Sequence, residues 1–215
     1  MISFENVSHA YPIKNGINEV LCNLSFKLEK GEKLGIIGKN GTGKSTLLRL
    51  VSGVELPKSG HIIRDMSVSW PLAFGGAFQG SLSGLDNTRF ICRVYNKSLE
   101  GAEQYMQEFT ELGKYFYEPV KNYSSGMRAK LAFGISMLVD FDCYLIDEIT
   151  AVGDATFQHK CDHELFYKKR DSAMIIISHD ENVIKEKCDS AILLNNSQGT
   201  HYMDVNQAFD VYHTL

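Results

Sequence analysis

The sequence predicts an α/β fold in which a parallel sheet, with an antiparallel β portion at its start, carries a helical subdomain as an insertion. Three observations predict it. Short apolar or alternating β-rich runs recur at Ile2–Val7, Val20–Leu28, Leu34–Ile37, Tyr144–Ile146, Met174–Ile177 and Ala191–Leu194, with helical patterns between those of the second half. Strand signals vanish between about Pro71 and Asp140. A glycine-rich stretch, Gly38 to Ser45, lies directly between an apolar strand and a helical run.

Taken in order, Ile2–Val7 and Val20–Leu28 supply the antiparallel portion, and Leu34–Ile37 is the first buried strand of the main sheet. It leads through the glycine-rich stretch into a helix beginning near Thr46–Leu50. Helices are expected near Leu82–Tyr95, Leu99–Leu112 and Ser125–Val139, and the remaining strands follow. One domain over 1–215 is therefore expected, its core at about 1–70 and 141–215 and its helical subdomain at about 71–140. No repeat, low-complexity tract or linker interrupts it.

Composition narrows the functional classes. With 215 residues, 44% of them hydrophobic, the chain can bury a sizeable core without disulfides or structural metal. A net charge of −4, with no Lys/Arg stripe, argues against nucleic acid as a partner. Five scattered cysteines, none spaced as CxxC, read as reduced thiols. The start MISFENVSHA has no signal-peptide pattern, and the longest apolar run, Leu131–Val139, is about half the ~18 residues that a membrane span needs. A role at a membrane then requires another protein as anchor.

GKNGTGKS, from Gly38 to Ser45, is the P-loop pattern in its required strand–loop–helix setting. Gly38, Gly41 and Gly43 let successive backbone N–H groups turn inward onto phosphate oxygens, and the following helix adds its positive end. Lys44 would reach the β- and γ-phosphates and Ser45 would ligate Mg²⁺. Lys39, Asn40, Thr42 and Thr46 complete the nucleotide contacts of the run. The fold class is accordingly a P-loop NTPase core. An accidental glycine-rich turn is the alternative, and the flanking strand and helix argue against it.

Partner motifs define the reaction. Cys143–Glu148 is a short apolar strand ending in two carboxylates, placed where parallel sheets present ligand groups. Asp147 suits the Mg²⁺ shell, and Glu148 suits a base that orients or deprotonates water. MIIISHD puts His179 just beyond another buried strand, where it can hydrogen-bond the γ-phosphate or the water. Tyr123–Met127, YSSGM, stands at the start of the helix expected from Ser125. Ser124, Ser125 and Gly126 there form an anion site at a helix N-terminus. Because a helix over that run rises about 21 Å, this site is expected to act on the nucleotide of a second copy of the chain in a two-fold dimer.

With these motifs in this order, the chain resembles the nucleotide-binding subunit of ATP-binding cassette (ABC) proteins over essentially its full length. The resemblance implies an ABC nucleotide-binding domain with ATP and Mg²⁺ as cofactors and the trans contact carried by Ser124 and Gly126, the two positions that YSSGM shares with the family signature LSGGQ. It implies that Tyr11 stacks on adenine, its bland counterpart being an exposed turn aromatic before Pro12. It also implies that Gly153 and Asp154 form the D-loop bridging the two sites. Gln79 is the candidate for the glutamine that contacts metal and water at the subdomain junction, although the usual spacing points nearer Ala73 or Phe74.

DEITAVGDATFQHKC (147–161) and the glycine-rich WPLAFGGAFQGSLSG look like ATPase subunits that export surface polysaccharides, the capsular type most of all. The resemblance then implies an ATP hydrolase that powers export through a separate integral membrane permease. Such a subunit sits peripherally on the cytoplasmic face of the bacterial inner membrane and touches the membrane only indirectly. The length leaves no room for the C-terminal sugar-binding extension of some O-antigen exporters. Trp70, Phe74, Phe78, Phe90 and Tyr95 cluster near the junction; most suit the subdomain core, and Phe74 and Phe78 suit a permease-docking groove. An O-antigen or teichoic acid exporter, a soluble ABC ATPase acting on ribosomes or DNA, and a small-molecule kinase remain the alternatives. His159, Cys161 and His163 have helical metal-ligand spacing without the HExxH order, and a solvated helix face is favoured there.

Overall fold

A computed structural model of the chain describes residues 1–72, 78–147 and 154–215. The described residues fall into two compact units, 1–69 with 141–147 and 171–215, and 70–72 with 78–140 and 154–170.

In the first unit, β1 (Ile2–Ile13), β2 (Gly16–Leu28) and β4 (Ser59–Arg64) form an antiparallel sheet ordered β2-β1-β4. The second sheet, ordered β5-β6-β7-β3-β8-β9, contains β3 (Lys33–Ile37), β5 (Val68–Pro71), β6 (Cys143–Asp147), β7 (Ala173–Ile177), β8 (Ser190–Asn195) and β9 (Gln198–Tyr202). Strands β6, β7, β3 and β8 run parallel, and β9 returns antiparallel to β8. All five residues of β7 are buried, as an uninterrupted AMIII run demands in a sheet covered on both faces. Helix α1 (Lys44–Ser52) joins the two sheets: Leu47, Leu48, Leu50 and Val51 share one apolar cluster with Phe4 and Leu21 of the first sheet and Ile36, Ile175 and Ile192 of the second. Each such side chain contributes about 1.5–3 kcal/mol on burial, so α1 is firmly held.

The helical unit contains α2 (Gly84–Val94), α3 (Ala102–Thr110), α4 (Ser125–Leu138) and α5 (Ala155–Asp162), the last running into a π-helical turn at His163–Lys168. Helix α4 is buried without a break from Leu131 to Met137. At Gly134 a Cβ would lie 2.9 Å from Met106 Cε and 3.1 Å from Thr110 Cγ2, so α3 and α4 pack closely there and a larger residue would make Met106 shift. The segment 154–170, which the sequence reading leaves with the sheet, clusters with these helices instead. The reason is Phe157, whose ring centroid lies 5.2 Å from that of Phe109 and 6.3 Å from that of Phe133.

Cys92, Cys143 and Cys161 are buried free thiols. Burial pushes Cys143 and Cys161 up to about 12. Among the described residues no cluster of three His, Cys, Asp or Glu could hold a metal, so His159, Cys161 and His163 do not assemble one. Nor is any helix among them long and apolar enough to cross a membrane.

A polar clasp fixes the start of β6. The Asp142 carboxylate accepts from the Ser67 N–H at 3.0 Å and the Ser67 hydroxyl at 2.8 Å, and Lys30 Nζ lies 3.1 Å away. Those donors, the Ser67 N–H foremost, hold Asp142 down at about 2. A depressed carboxylate stabilises the fold above its unfolded value of about 3.9, and that contribution disappears as pH falls through the folded value. Asp142→Asn should therefore melt below the parent at pH 7, and thermal melts across acid pH should show the gap closing between about pH 4 and pH 2.

Candidate functional site

The carboxyl ends of three parallel strands set the site. Asp147 pairs with Ile177 and Ile177 with Ile36, so the end of β6 is level with the end of β3 two strands away, roughly 10 Å in the hydrogen-bonding direction. His179 follows β7 by two residues and is exposed. Parallel sheets bind ligands at this edge because their strand ends face a crevice rather than a hairpin.

From Ile37 the chain must reverse into α1 within Gly38–Gly43. It does so with Gly41 at φ +84° and Gly43 at φ +103°, both left-handed. At Gly43, the N-cap of α1, a Cβ would lie 2.7 Å from Val20 Cγ1. The reversal aims the first backbone N–H groups of α1, which lack helical acceptors, at the crevice. Lys44 Nζ lies back along the loop, donating to the carbonyls of Gly38 at 2.6 Å and Lys39 at 3.1 Å. The Thr42 hydroxyl donates to the Lys39 carbonyl at 2.9 Å, which tightens the turn.

Asn40, Gly41, Gly43, Lys44, Ser45, Thr46 and Asp147 line one cleft of about 320 Å³ together with Tyr11, Asn18, Val20 and Ile177. Phosphate-binding N–H groups, a cation, a hydroxyl, a carboxylate and an aromatic ring thus face a single space of small-molecule size. Ser45 and Asp147, both lining the cleft, suit a hard cation such as Mg²⁺, which takes few protein oxygens and shares phosphate oxygens with its substrate. Glu148, Gly153, Ala73 and Phe74 lie outside the described residues.

The other predicted residues belong to the helical unit. Ser124 is the N-cap of α4 and accepts from the Met127 N–H at 3.2 Å; Ser124 and Ser125 are exposed. Tyr123 is buried, and its hydroxyl donates to the Tyr115 carbonyl at 2.6 Å. Asp154 caps α5, accepting from the Phe157 N–H at 2.9 Å, and that bond is the main reason its carboxyl lies below the usual range. Gln79 is exposed, and its backbone is gripped by Asn87 just before α2. Trp70 donates to Ser136 Oγ at 2.7 Å and packs on Tyr95, so it serves the unit's own packing, whereas Phe90 and Val94 of α2 are 56% and 57% exposed.

Sequence reasoning misses Asn18 and Val20. Their signal is alternation on β2 opposite Tyr11, which pairs with Asn18. It also misses Arg49, Glu55 and His9 around the Tyr11 hydroxyl, for which no spacing rule exists.

Comparison with known proteins agrees with this geometry. The family model for the ABC transporter matches residues 21–151. The capsule polysaccharide export ATP-binding protein CtrD of Neisseria meningitidis serogroup B is 54% identical over 215 residues, covering all of both chains. The ATP-binding protein BexA of Haemophilus influenzae is 54% identical over 212 residues, covering 99% of this chain and 98% of its own. In fold, the chain is similar to the dimeric post-hydrolysis ATP-binding cassette MJ0796 bound to ADP and Pi, with TM-score 0.78 at 19% identity over 93% of this chain and 96% of that one.

Because Gly43 combines a left-handed backbone with a crowded Cβ position, Gly43→Ala should cost about 1–2 kcal/mol from the backbone alone. It should also weaken ATP binding more than tenfold, about 1.4 kcal/mol or more. Urea unfolding beside calorimetric titration with ATP checks both, and parent-like affinity would contradict the geometry.

Proposed function

The chain belongs to the ABC transporter family, and from that premise we propose that it is the ATP-hydrolysing subunit of a surface polysaccharide exporter of the capsular type, working under a separate membrane permease. The observation that carries the reading is the single cleft shared by the P-loop, Asp147 and Tyr11. Full-length identity of 54% to a capsule polysaccharide export ATP-binding protein supports the substrate class.

In this reading the loop from Gly38 to Thr46 cradles the triphosphate, and Lys44 leaves the Gly38 and Lys39 carbonyls to meet the β- and γ-phosphates. Tyr11 stacks on the base. Ser45 and Asp147 would hold Mg²⁺. When bound, Mg²⁺ supplies charge neutralisation on the phosphate oxygens. Glu148 takes the proton of the attacking water, and His179 holds the water or γ-phosphate by a hydrogen bond. The Ser124 hydroxyl and the α4 N-terminus at Ser125 and Gly126 close over the nucleotide of a second copy, with Asp154 between the two sites. ATP thus closes a homodimer, and hydrolysis with product release reopens it.

The permease partner is supported by apolar surface that the helical unit leaves exposed, Phe90 and Val94 one turn apart on α2 with Phe78 half-buried nearby in sequence. Docking there would place the subunit peripherally on the cytoplasmic face of the inner membrane. Deleting the gene and staining the cell surface for glycan tests the function as a whole: an intact capsule would refute it.

Two sharper outcomes follow from the assigned roles. Glu148→Gln should still bind ATP, lose turnover at least a hundredfold as expected for removal of a general base, and accumulate as a dimer with ATP in size-exclusion runs. Undiminished ATPase activity would remove Glu148 from that role. Phe78→Ala and Phe90→Glu should leave the ATPase of the isolated subunit intact while reducing co-purification with the permease and export.

A further inference from the structure

Tyr11 stands at the end of a polar network that none of the motifs contains. Its hydroxyl donates to Glu55 Oε2 at 2.6 Å and accepts from Arg49 Nη2 at 2.9 Å. Arg49 Nε lies 2.8 Å from Glu55 Oε1, so the guanidinium and the phenol share one carboxylate. Below them, His9 Nε2 is 3.3 Å from Glu55 Oε2, with its ring edge-on to Tyr11 at 4.9 Å, and the buried Thr46 hydroxyl is 3.3 Å from both Tyr11 Oη and Arg49 Nη2.

The network connects two separate parts of the first unit. Tyr11 and His9 come from β1, on the hairpin with β2. Thr46 and Arg49 come from α1, and Glu55 lies just past its end, where Gly53 terminates the helix at φ +78° and the Glu55 N–H donates to the Arg49 carbonyl at 3.2 Å. Helix α1 is the element that carries the phosphate loop. A carboxylate fixed just past the end of α1 and hydrogen-bonded to the Tyr11 hydroxyl therefore ties that ring to the element that carries the phosphate loop.

We propose that Glu55, with Arg49, is a positioning residue that holds the Tyr11 ring at the spacing a nucleoside triphosphate needs between its base and its phosphates. This rests on the reading that Tyr11 stacks on the base, and it deepens that reading by making base recognition depend on a residue outside the motifs. The ionised state suits the role, because the Tyr11 hydroxyl first, and Arg49 after it, hold the Glu55 carboxyl below its usual range. Charge-assisted hydrogen bonds of this kind restrict a phenol far more than a neutral partner does. With the ring already oriented, less ordering remains to be done when the nucleotide binds.

The test separates base from phosphate recognition. Calorimetric titrations with Mg·ATP and with magnesium tripolyphosphate, which has no base, are run on the full chain and on Glu55→Ala, Glu55→Gln, Tyr11→Phe and Tyr11→Ala. Glu55→Ala and Tyr11→Phe should each weaken ATP about tenfold, the effect of one lost charge-assisted hydrogen bond, and leave tripolyphosphate affinity at the parent value. Glu55→Gln, which keeps an acceptor, should fall between them and the parent. Equal losses for both ligands would show that the network only holds the fold and would overturn the proposal. So would parent-like ATP affinity in Glu55→Ala and Tyr11→Phe alongside a loss in Tyr11→Ala, a pattern that leaves base stacking standing. Parent-like ATP affinity in Tyr11→Ala would overturn the stacking itself.

Discussion

Everything at the cleft depends on how β3 passes its chain to α1. The strand ends level with Asp147, the helix must start within a few residues, and the reversal between them is possible only with left-handed glycines. Side chains of α1 then disappear into a cluster shared by both sheets, so the helix cannot rotate or slide to relieve the loop. Rigid helix and glycine-turned loop together keep the N–H groups aimed at a fixed point. That preorganisation is what allows a few hydrogen bonds in water to hold a highly charged group.

The same helix organises its surroundings in a second way. Its outer side, at Thr46 and Arg49, faces the β1–β2 hairpin through the Tyr11 hydroxyl and the Glu55 carboxylate. One rigid element thus bears on both the P-loop and the Tyr11 ends of the cleft. In the helical unit the corresponding anchor is the ring stack of Phe109, Phe133 and Phe157, which binds α3, α4 and α5 to each other. A helix start with exposed Ser124 and Ser125 and half-buried Gly126 belongs to the same unit.

Legibility in the sequence follows burial. AMIII of β7 and the CYLID of β6 are readable because strands covered on both faces are apolar throughout. Strand β4, SGHIIR, escapes because one of its faces is wet and its apolar content is two residues, and β9, QGTHY, escapes for the same reason at the sheet edge. Strand β1 runs six residues beyond the expected end at Val7, through His9 and Tyr11, because bulges at its register shifts break the alternation that a period-two pattern needs. The P-loop is legible because its chemistry is local, eight consecutive residues. Glu55 and Arg49 are not, because their meaning lies in a contact with a residue 44 and 38 positions away. The segment 154–170 reads with the sheet for a related reason: Phe157 joins the helical unit only through rings contributed by α3 and α4.

Tyr123 has a wider meaning than its place in the helical unit. Its ring fills an apolar slot and its hydroxyl ends on a backbone carbonyl, so the first letter of YSSGM answers to volume and one acceptor. The exposed Ser124 and Ser125 after it answer to solvent and whatever solvent brings. Five adjacent positions thus answer to two unrelated demands, and a change in the first is felt by the packing around it rather than at the helix start. A pattern that weighs the five letters alike mixes packing with the chemistry of the helix end, and divergence counted at Tyr123 overstates divergence in what that end presents.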